Sequence, residues 1–298
     1  MNTLEAMQIY VRVAEMASFT QAADSLGLPK ASISMAVKQL ESEVGTRLLH
    51  RTTRKVEMTQ DGRAFYERSR DMLADMEELQ TMFQGGEQIS GRLRVDMSSG
   101  VARNFVIPHL PEFLAQHPRL ELELSSTDRR VDLVREGFDC VLRVGALVDS
   151  SLIARPLGRF RQINCVSPAY IARYGKPQNL DDLAQHRLIH YVSTLGTKPT
   201  GFEYFDGSES RSLAMRGTIT VNNADAYQAA CIAGLGIIQA PLSGCLHLVE
   251  SGALVEVLPQ YPAGPMPVSL LYANRRHLPK RAQVFMDWMA ELMQPHVQ

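Results

Sequence analysis

The 298-residue sequence is short of several things, and each shortage narrows what the chain can be. It has four cysteines, Cys140, Cys165, Cys231 and Cys245, no two at CxxC spacing, so neither a disulfide framework nor dithiol or metal chemistry is expected. They read as small buried apolar residues of a reducing compartment. An excess of either charge is also missing. The 31 Lys and Arg stand against 32 Asp and Glu, so any surface for a polyanion must be local. No stretch reaches the roughly 18 uncharged apolar residues of a membrane span. The opening residues carry Glu5 and Arg12 where a signal peptide would be apolar. A soluble, cytoplasmic protein without membrane partners is expected. GxSxG, HExxH and P-loop patterns are absent, and no Cys has a recognisable nucleophile setting, so catalytic residues and a cofactor are not expected. What remains is globular material, 45% apolar and 21% charged, long enough for two domains or one large one.

Leu4, Met7, Tyr10 or Val11, and Ala14 recur at helical spacing and predict an amphipathic first helix ending near Met16 or Ala17. Ser18 and Gln21 have capping-box spacing for a second helix, with Ala22, Ala23 and Leu26 as its apolar face and Gly27 just past its end. A third helix begins near Pro29, which suits a first helical turn, and Ile33, Val37, Leu40 and Val44 carry its stripe to Gly45. The opposite face holds Lys30, Ala31, Ser34, Met35 and Lys38, a small, polar and basic set suited to close approach to a nucleic-acid groove. His50 to Val56 then alternates like a short β-ribbon loaded with cations, able to touch phosphates. From Lys30 to Lys55, six cations face only Glu41 and Glu43, an excess of four in a nearly neutral chain. A charge run alone more often marks a solvated face; its place beside the helix pair turns the reading toward nucleic acid.

Ser18 to Gly62 resembles the winged helix-turn-helix of LysR-type transcriptional regulators. Phe19, Ala22-Ala23, the Ser34 helix running to Leu40-Glu41, Gly45, Leu48-Leu49, Arg51-Thr52 and Thr59 to Gly62 all fall in that family's order and spacing. The resemblance extends over the whole chain. It implies that Lys30, Ala31, Ser34, Met35 and Lys38 lie on the recognition face and Arg51 and Arg54 on the wing. One departure is Met35, where family members commonly place Arg or Gln; Met cannot make the bidentate contact to guanine that Arg provides.

Thr59 can cap a helix starting near Gln60, and no Pro or Gly interrupts Arg63 to Gln84. Phe65, Ser69, Met72, Met76, Leu79 and Phe83 advance by steps of four and three, the 3.5-residue period of a coiled-coil seam. Roughly 25 residues at 1.5 Å each reach nearly 40 Å, too far for a sixty-residue domain to cover. A partner helix is the better reading than packing against the chain's own domain, with Phe65, Met72, Met76, Leu79 and Phe83 as the dimer seam. The family resemblance implies that this helix makes a homodimer, and further a dimer of dimers. Gly85-Gly86 and Ser90-Gly91 supply the break after it.

From Arg92 onward, short apolar strands alternate with helical stretches: Leu93 to Met97, Leu120 to Ser125, Asp139 to Val144, Ile163 to Ser167, Leu188 to Val192, Thr218 to Val221, Gly236 to Ala240 and Val268 to Tyr272. The pattern is that of α/β folds with mainly parallel sheets. The resemblance implies a bilobed effector domain like the periplasmic binding proteins. The expected fold is an α+β multidomain chain: winged helix-turn-helix over 1–58, linker helix and hinge over 59–90, effector domain over 91–298. Its lobes would span about 92–163 with 268–298, and about 164–267.

Ligands of open α/β sheets bind beyond strand C-termini, where helix N-termini offer free amides. Three strand ends qualify: Ser98, Ser99 and Gly100; Asn222 and Asn223; and Arg143, a cation able to hold a carboxylate bidentately. The alternative for each is structural, with Ser and Asn capping helices and Arg143 pairing with Asp128 or Asp132. The expected effector is a small organic molecule, a carboxylate being favoured. Gly234-Leu235-Gly236-Ile237 follows a helix and is not a phosphate loop. His186 and His190 have the i,i+4 spacing of zinc ligands on a helix, but Leu188 to Val192 reads as a strand and no third ligand is near, so no metal is expected. The competing class is an α/β enzyme or solute binder carrying an incidental helical domain. The order of winged helix-turn-helix, seam helix and bilobed domain favours a regulator of double-stranded DNA, since an enzyme needs none of it.

Overall fold

A computed structural model of the chain describes residues 2–51, 56–81, 89–147, 152–273 and 278–298, with the side chains of Arg51, Ala74, Glu77, Glu78, Gln80 and Thr81 outside that description. The chain divides into two compact units, Met1–Arg92 with His117–Glu121, and Leu93–Gln116 with Leu122–Gln298.

In the first unit, α1 (Thr3–Met16), α2 (Phe19–Leu26) and α3 (Lys30–Val44) form where the periodicity predicts. Asn2 caps α1 with a full capping box to Glu5, a start signal the reading of apolar spacing passed over. Ser18 accepts the Gln21 amide, and Gly27 ends α2 in the left-handed conformation that any other residue would adopt only at a cost. Ile33, Ala36, Val37 and Leu40 of α3 are buried against Ile9, Tyr10 and Val13 of α1 and Ala22 and Ala23 of α2. This stripe of small and branched side chains is what lets three short helices pack closely. Strands β1 (Leu49–Arg51) and β2 (Val56–Met58) pair antiparallel, and α4 (Gln60–Thr81) follows. Thr59 Oγ1 accepts the Gly62 amide at 2.8 Å and donates to the Arg47 carbonyl, capping α4 as expected. Gly62 admits no side chain, because a Cβ there would collide with the Leu48 carbonyl oxygen. Its own carbonyl accepts the buried Tyr10 hydroxyl at 2.7 Å, tying the base of α4 to α1.

The second unit holds most of a five-stranded sheet in the order β4-β3-β5-β14-β6, built from β3 (Ser90–Met97), β4 (Arg119–Ser126), β5 (Cys140–Val144), β6 (Leu152–Phe160) and β14 (Met266–Ala273). A helical run, α5 (Ser99–Val101), a π-helical turn at Ala102–Val106 and α6 (Ile107–Gln116), follows β3, and α7 (Leu133–Glu136) precedes β5. The other lobe carries β7 (Gln162–Val166), α8 (Pro168–Tyr174), β8 (His190–Tyr191), a hairpin of β9 (Phe202–Phe205) and β10 (Ser210–Leu213), β11 (Thr220–Val221), α9 (Ala224–Ile232), β12 (Ile238–Pro241), α10 (Leu242–Glu250) and β13 (Val255–Glu256). Its β12-β7-β13 sheet joins the β8–β11 pair through a parallel bridge between Leu188 and Ile237. Helix α11 (Lys280–Met293) buries Phe285, Met286, Met289 and Met293.

The expectation of mainly parallel sheets needs correction. β3–β5 and β8–β11 are parallel, but β14 runs antiparallel to both β5 and β6, and β12 and β13 antiparallel to β7. The chain changes sheet at Arg161, between β6 and β7, and comes back into the first sheet only at β14. A strand returning from the other sheet need not obey the crossover geometry that makes neighbours parallel. Strand β6 was not foreseen at all, because Pro156 and Gly158 break its alternation. It tolerates them as an edge strand with a register shift opposite Val268 and Ser269.

Candidate functional site

On α3, Lys30, Ala31, Met35 and Lys38 are exposed and Ser34 is half-buried, on the face turned away from Ile33, Val37 and Leu40. Met35 keeps two thirds of its surface in water, a large exposed apolar side chain on an otherwise polar face. The carboxylate of Glu41, counted in the sequence among charges opposing this surface, instead accepts the Leu48 and Leu49 amides at 2.9 and 3.0 Å, holding the start of β1 against α3. Arg51 stands on β1 by its backbone; Arg54 lies outside the described residues.

Along α4, Met72, Met76 and Leu79 are exposed at 51%, 37% and 55%, an apolar row that the described residues leave open. Phe65 does not belong to that row. Its ring packs edge-on against Tyr10 at 5.5 Å and joins the three-helix core, because the first turns of α4 still lie over α1. Phe83 lies outside the described residues.

Between the two lobes of the second unit is a cavity of about 180 Å³. One lobe contributes Ser98, Gly100, Asn104, Phe105, Asp128, Arg143, Phe160 and Met266, among others; the other contributes Tyr191, Tyr227, Gln228, Gln239 and Ser243. Of the residues expected from strand ends, Ser98, Gly100 and Arg143 line it, while Ser99, Asn222 and Asn223 do not. Ser99 is buried, donating its amide and hydroxyl to Asp128, both at 3.1 Å. Asn223 caps α9 through the Asp225 and Ala226 amides, and Asn222 is exposed. These polar residues end strands as expected, but their side chains serve the backbone next to them.

Arg143 pairs with neither Asp128 nor Asp132. Its Nη2 lies 2.7 Å from Oδ2 of Asp96, a fully buried carboxylate whose other oxygen accepts the Ser125 and Thr127 hydroxyls. Asp132 caps α7 through the Arg135 amide. Asp128, passed over as a site residue, is the link between the lobes, because besides Ser99 it accepts the Ala224 amide at 2.6 Å. Arg103 adds a second link, to Asp225 and Gln228. Burial and then the nearby Asp128 charge push the Tyr191 phenol up to about 12. Gln239 is held by the Tyr227 hydroxyl, Asn164 and the Glu203 backbone, an arrangement of residues far apart in sequence that no local pattern announces.

His186 hydrogen-bonds the Tyr170 hydroxyl at 3.1 Å, and His190 stands on β8 rather than on a helix. Among the described residues no cluster of three or more metal-ligating side chains occurs, and no helix is long and apolar enough to cross a membrane. All four cysteines are buried free thiols, their ionisation pushed up by burial.

Comparison with known proteins places both regions. Residues 4–63 match the model of the bacterial regulatory helix-turn-helix protein, lysR family, and residues 86–294 match that of the LysR substrate binding domain. The chain is 45% identical to an uncharacterized HTH-type transcriptional regulator, YhjC, of Escherichia coli K12, over all of both chains. It is 39% identical to an HTH-type transcriptional repressor of Pseudomonas aeruginosa, over 98% of this chain and 92% of the relative. Among solved structures it resembles CrgA, a LysR-type transcriptional regulator from Neisseria meningitidis, with 27% identity, a TM-score of 0.61, and 96% and 97% of the two chains covered.

Proposed function

Because this chain belongs to the LysR family of transcriptional regulators, with a DNA-binding helix-turn-helix and an effector-binding domain and not an enzyme's chemistry, we propose which of its residues do each task. Lys30, Ala31, Ser34, Met35 and Lys38 enter the major groove, with Arg51 and Arg54 on the flanking phosphates. The observation that carries this reading is the exposed face of α3 set opposite its buried stripe. The functional segments are 1–58 for DNA, 59–90 for self-association and 91–298 for the effector. Met72, Met76 and Leu79 form a homodimer seam, so that two α3 helices meet two half-sites of one operator; the family resemblance further implies a dimer of dimers. The interlobe cavity takes a small organic effector, with Ser98, Gly100 and Arg143 in its wall. The effector regulates only through a preference for one arrangement of the lobes. The protein acts in the cytoplasm, where its operator is.

Selection from a randomised duplex pool tests the DNA assignment. A motif of two half-sites related by two-fold symmetry is expected, with affinity falling as salt rises by a slope of about −0.9 per neutralised phosphate. Failure to enrich any duplex would reject it.

A further inference from the structure

With the interlobe cavity taken as the effector site, its walls decide the class of molecule that fits. The first constraint is size. Its 180 Å³ is small, near the roughly 150 Å³ of a dry cavity that holds benzene, a volume that suits a single ring. The rings of Phe105, Phe160, Tyr191 and Tyr227 and the side chains of Leu142 and Met266 supply the apolar wall such a ring needs.

The second constraint is charge. The amides where a ligand carboxylate was expected to sit are filled by the protein's own carboxylate, since Asp128 accepts Ser99 from one lobe and Ala224 from the other. The cation expected to attract an anion, Arg143, is matched by Asp96. Arg103, bound to Asp225 and Gln228, is outside the cavity wall. An entering anion therefore meets Asp128 at short range with no uncommitted cation among the described residues of the wall to offset it, in a medium where such repulsion is poorly screened.

The third constraint is hydrogen bonding. Asn104 Nδ2 and Ser243 Oγ, both in the cavity wall, are buried and have no partner among the described residues. The Asn104 carbonyl oxygen accepts Arg103 Nε at 3.2 Å, which leaves the amide NH2 as the group on offer. Buried donors without acceptors are costly, and an acceptor on the ligand removes that cost.

We propose that the cavity takes a compact single-ring compound without a negative charge, bearing an oxygen acceptor that the Asn104 amide or the Ser243 hydroxyl meets, and that Asp128 fills the place a ligand carboxylate would occupy. The favoured carboxylate effector of the sequence reading gives way to one that is not an anion. Asp128 also fixes the closure of the lobes, so a ligand acts on an arrangement already tied together.

Titration calorimetry and saturation-transfer NMR on the full-length protein, with benzamide and benzoate as isosteric probes, test this. Benzamide should bind roughly tenfold tighter than benzoate, about 1.4 kcal/mol on the affinity scale. Asn104→Ala with Ser243→Ala should weaken benzamide several-fold. Asp128→Asn should raise benzoate affinity several-fold relative to benzamide. Should Asp128→Asn fail to fold, the wild-type ranking still decides. Benzoate binding as tightly as benzamide, or neither of the two binding at millimolar concentration, overturns the proposal. An unchanged benzoate-to-benzamide ratio in a folded Asp128→Asn overturns the role given to Asp128. The regulator reading fails by a separate route, the absence of duplex DNA binding, which these probes do not touch.

Discussion

On α3 the side chains expected to meet DNA, Lys30, Ala31, Met35 and Lys38, stand in water on a helix whose other face is buried. Around the interlobe cavity, Asp128, Ser99, Arg143 and Asn223 are engaged with one another, with Asp96 or with backbone amides. The contrast follows from solvation. A surface that reads a polyanion can leave its cations hydrated until the partner arrives, at little cost. A half-enclosed site cannot leave charges and amides unpaired, so the groups that look most like ligand contacts are often holding the protein together. What identifies the ligand there is the remainder, the few polar atoms that nothing else has claimed.

The difference can be broken most severely from the core beneath α3. Leu40 is 1% exposed, and Leu40→Ala should cost about 2–5 kcal/mol, read as a lowered urea midpoint of the first unit. DNA binding should be lost with it, while benzamide titrations of the cavity stay unchanged; parallel loss of both would show that the units do not act separately. Met76→Glu comes next. It places a carboxylate in the exposed row of α4 and should raise the dimer dissociation constant about 10- to 100-fold by sedimentation, or roughly 1.4–2.8 kcal/mol. An unaltered dimer would remove Met76 from the seam. Arg51→Ala should weaken duplex binding by about tenfold at low salt and flatten the salt slope by about 0.9. A loss with no change of slope would mean that Arg51 touches no phosphate.

The smallest effect concerns protons. Burial holds the His186 imidazole below its ordinary pKa, with Asp182 opposing, and burial does the same to His190. In the window between the lowered folded value and the unfolded value of about 6.5, the unfolded chain binds more protons, so stability rises with pH there. Acidification from neutrality should therefore lower the melting temperature by a few degrees, and His186→Gln should lessen the drop. A melting temperature independent of pH in this range would contradict the lowered pKa of these imidazoles.

The first unit was legible because its information is local. Helix period, the Gly27 and Gly45 stops and the Ser18 cap each concern residues within a few positions, and all appear where expected. Phe65 was misread because the seam period and the core period overlap over one turn, and only the placement of α4 over Tyr10 separates them. The second unit was legible as strands and strand ends but not as bonds. Nothing near Asp128 in sequence points to Ser99 or Ala224, which lie 29 and 96 positions away, and Asp96 lies far in sequence from the Arg143 it balances. Return strands such as β14 pair by tertiary placement, so their direction was out of reach of an alternation pattern.

The bond from Tyr10 to the Gly62 carbonyl, with Gly62 pressed against the Leu48 backbone, makes α4 a lever with no slack at its base. The 22 residues of α4 amount to about 33 Å of rigid arm. A tilt of about 5° about that fulcrum sweeps its far end through about 3 Å, close to the rise of one base step. Because Tyr10 belongs to α1 and Leu48 stands just ahead of β1, torque on the arm bears on both at one point. The arm thus transmits angle, and a small one at its base becomes a displacement of ångströms at its far end.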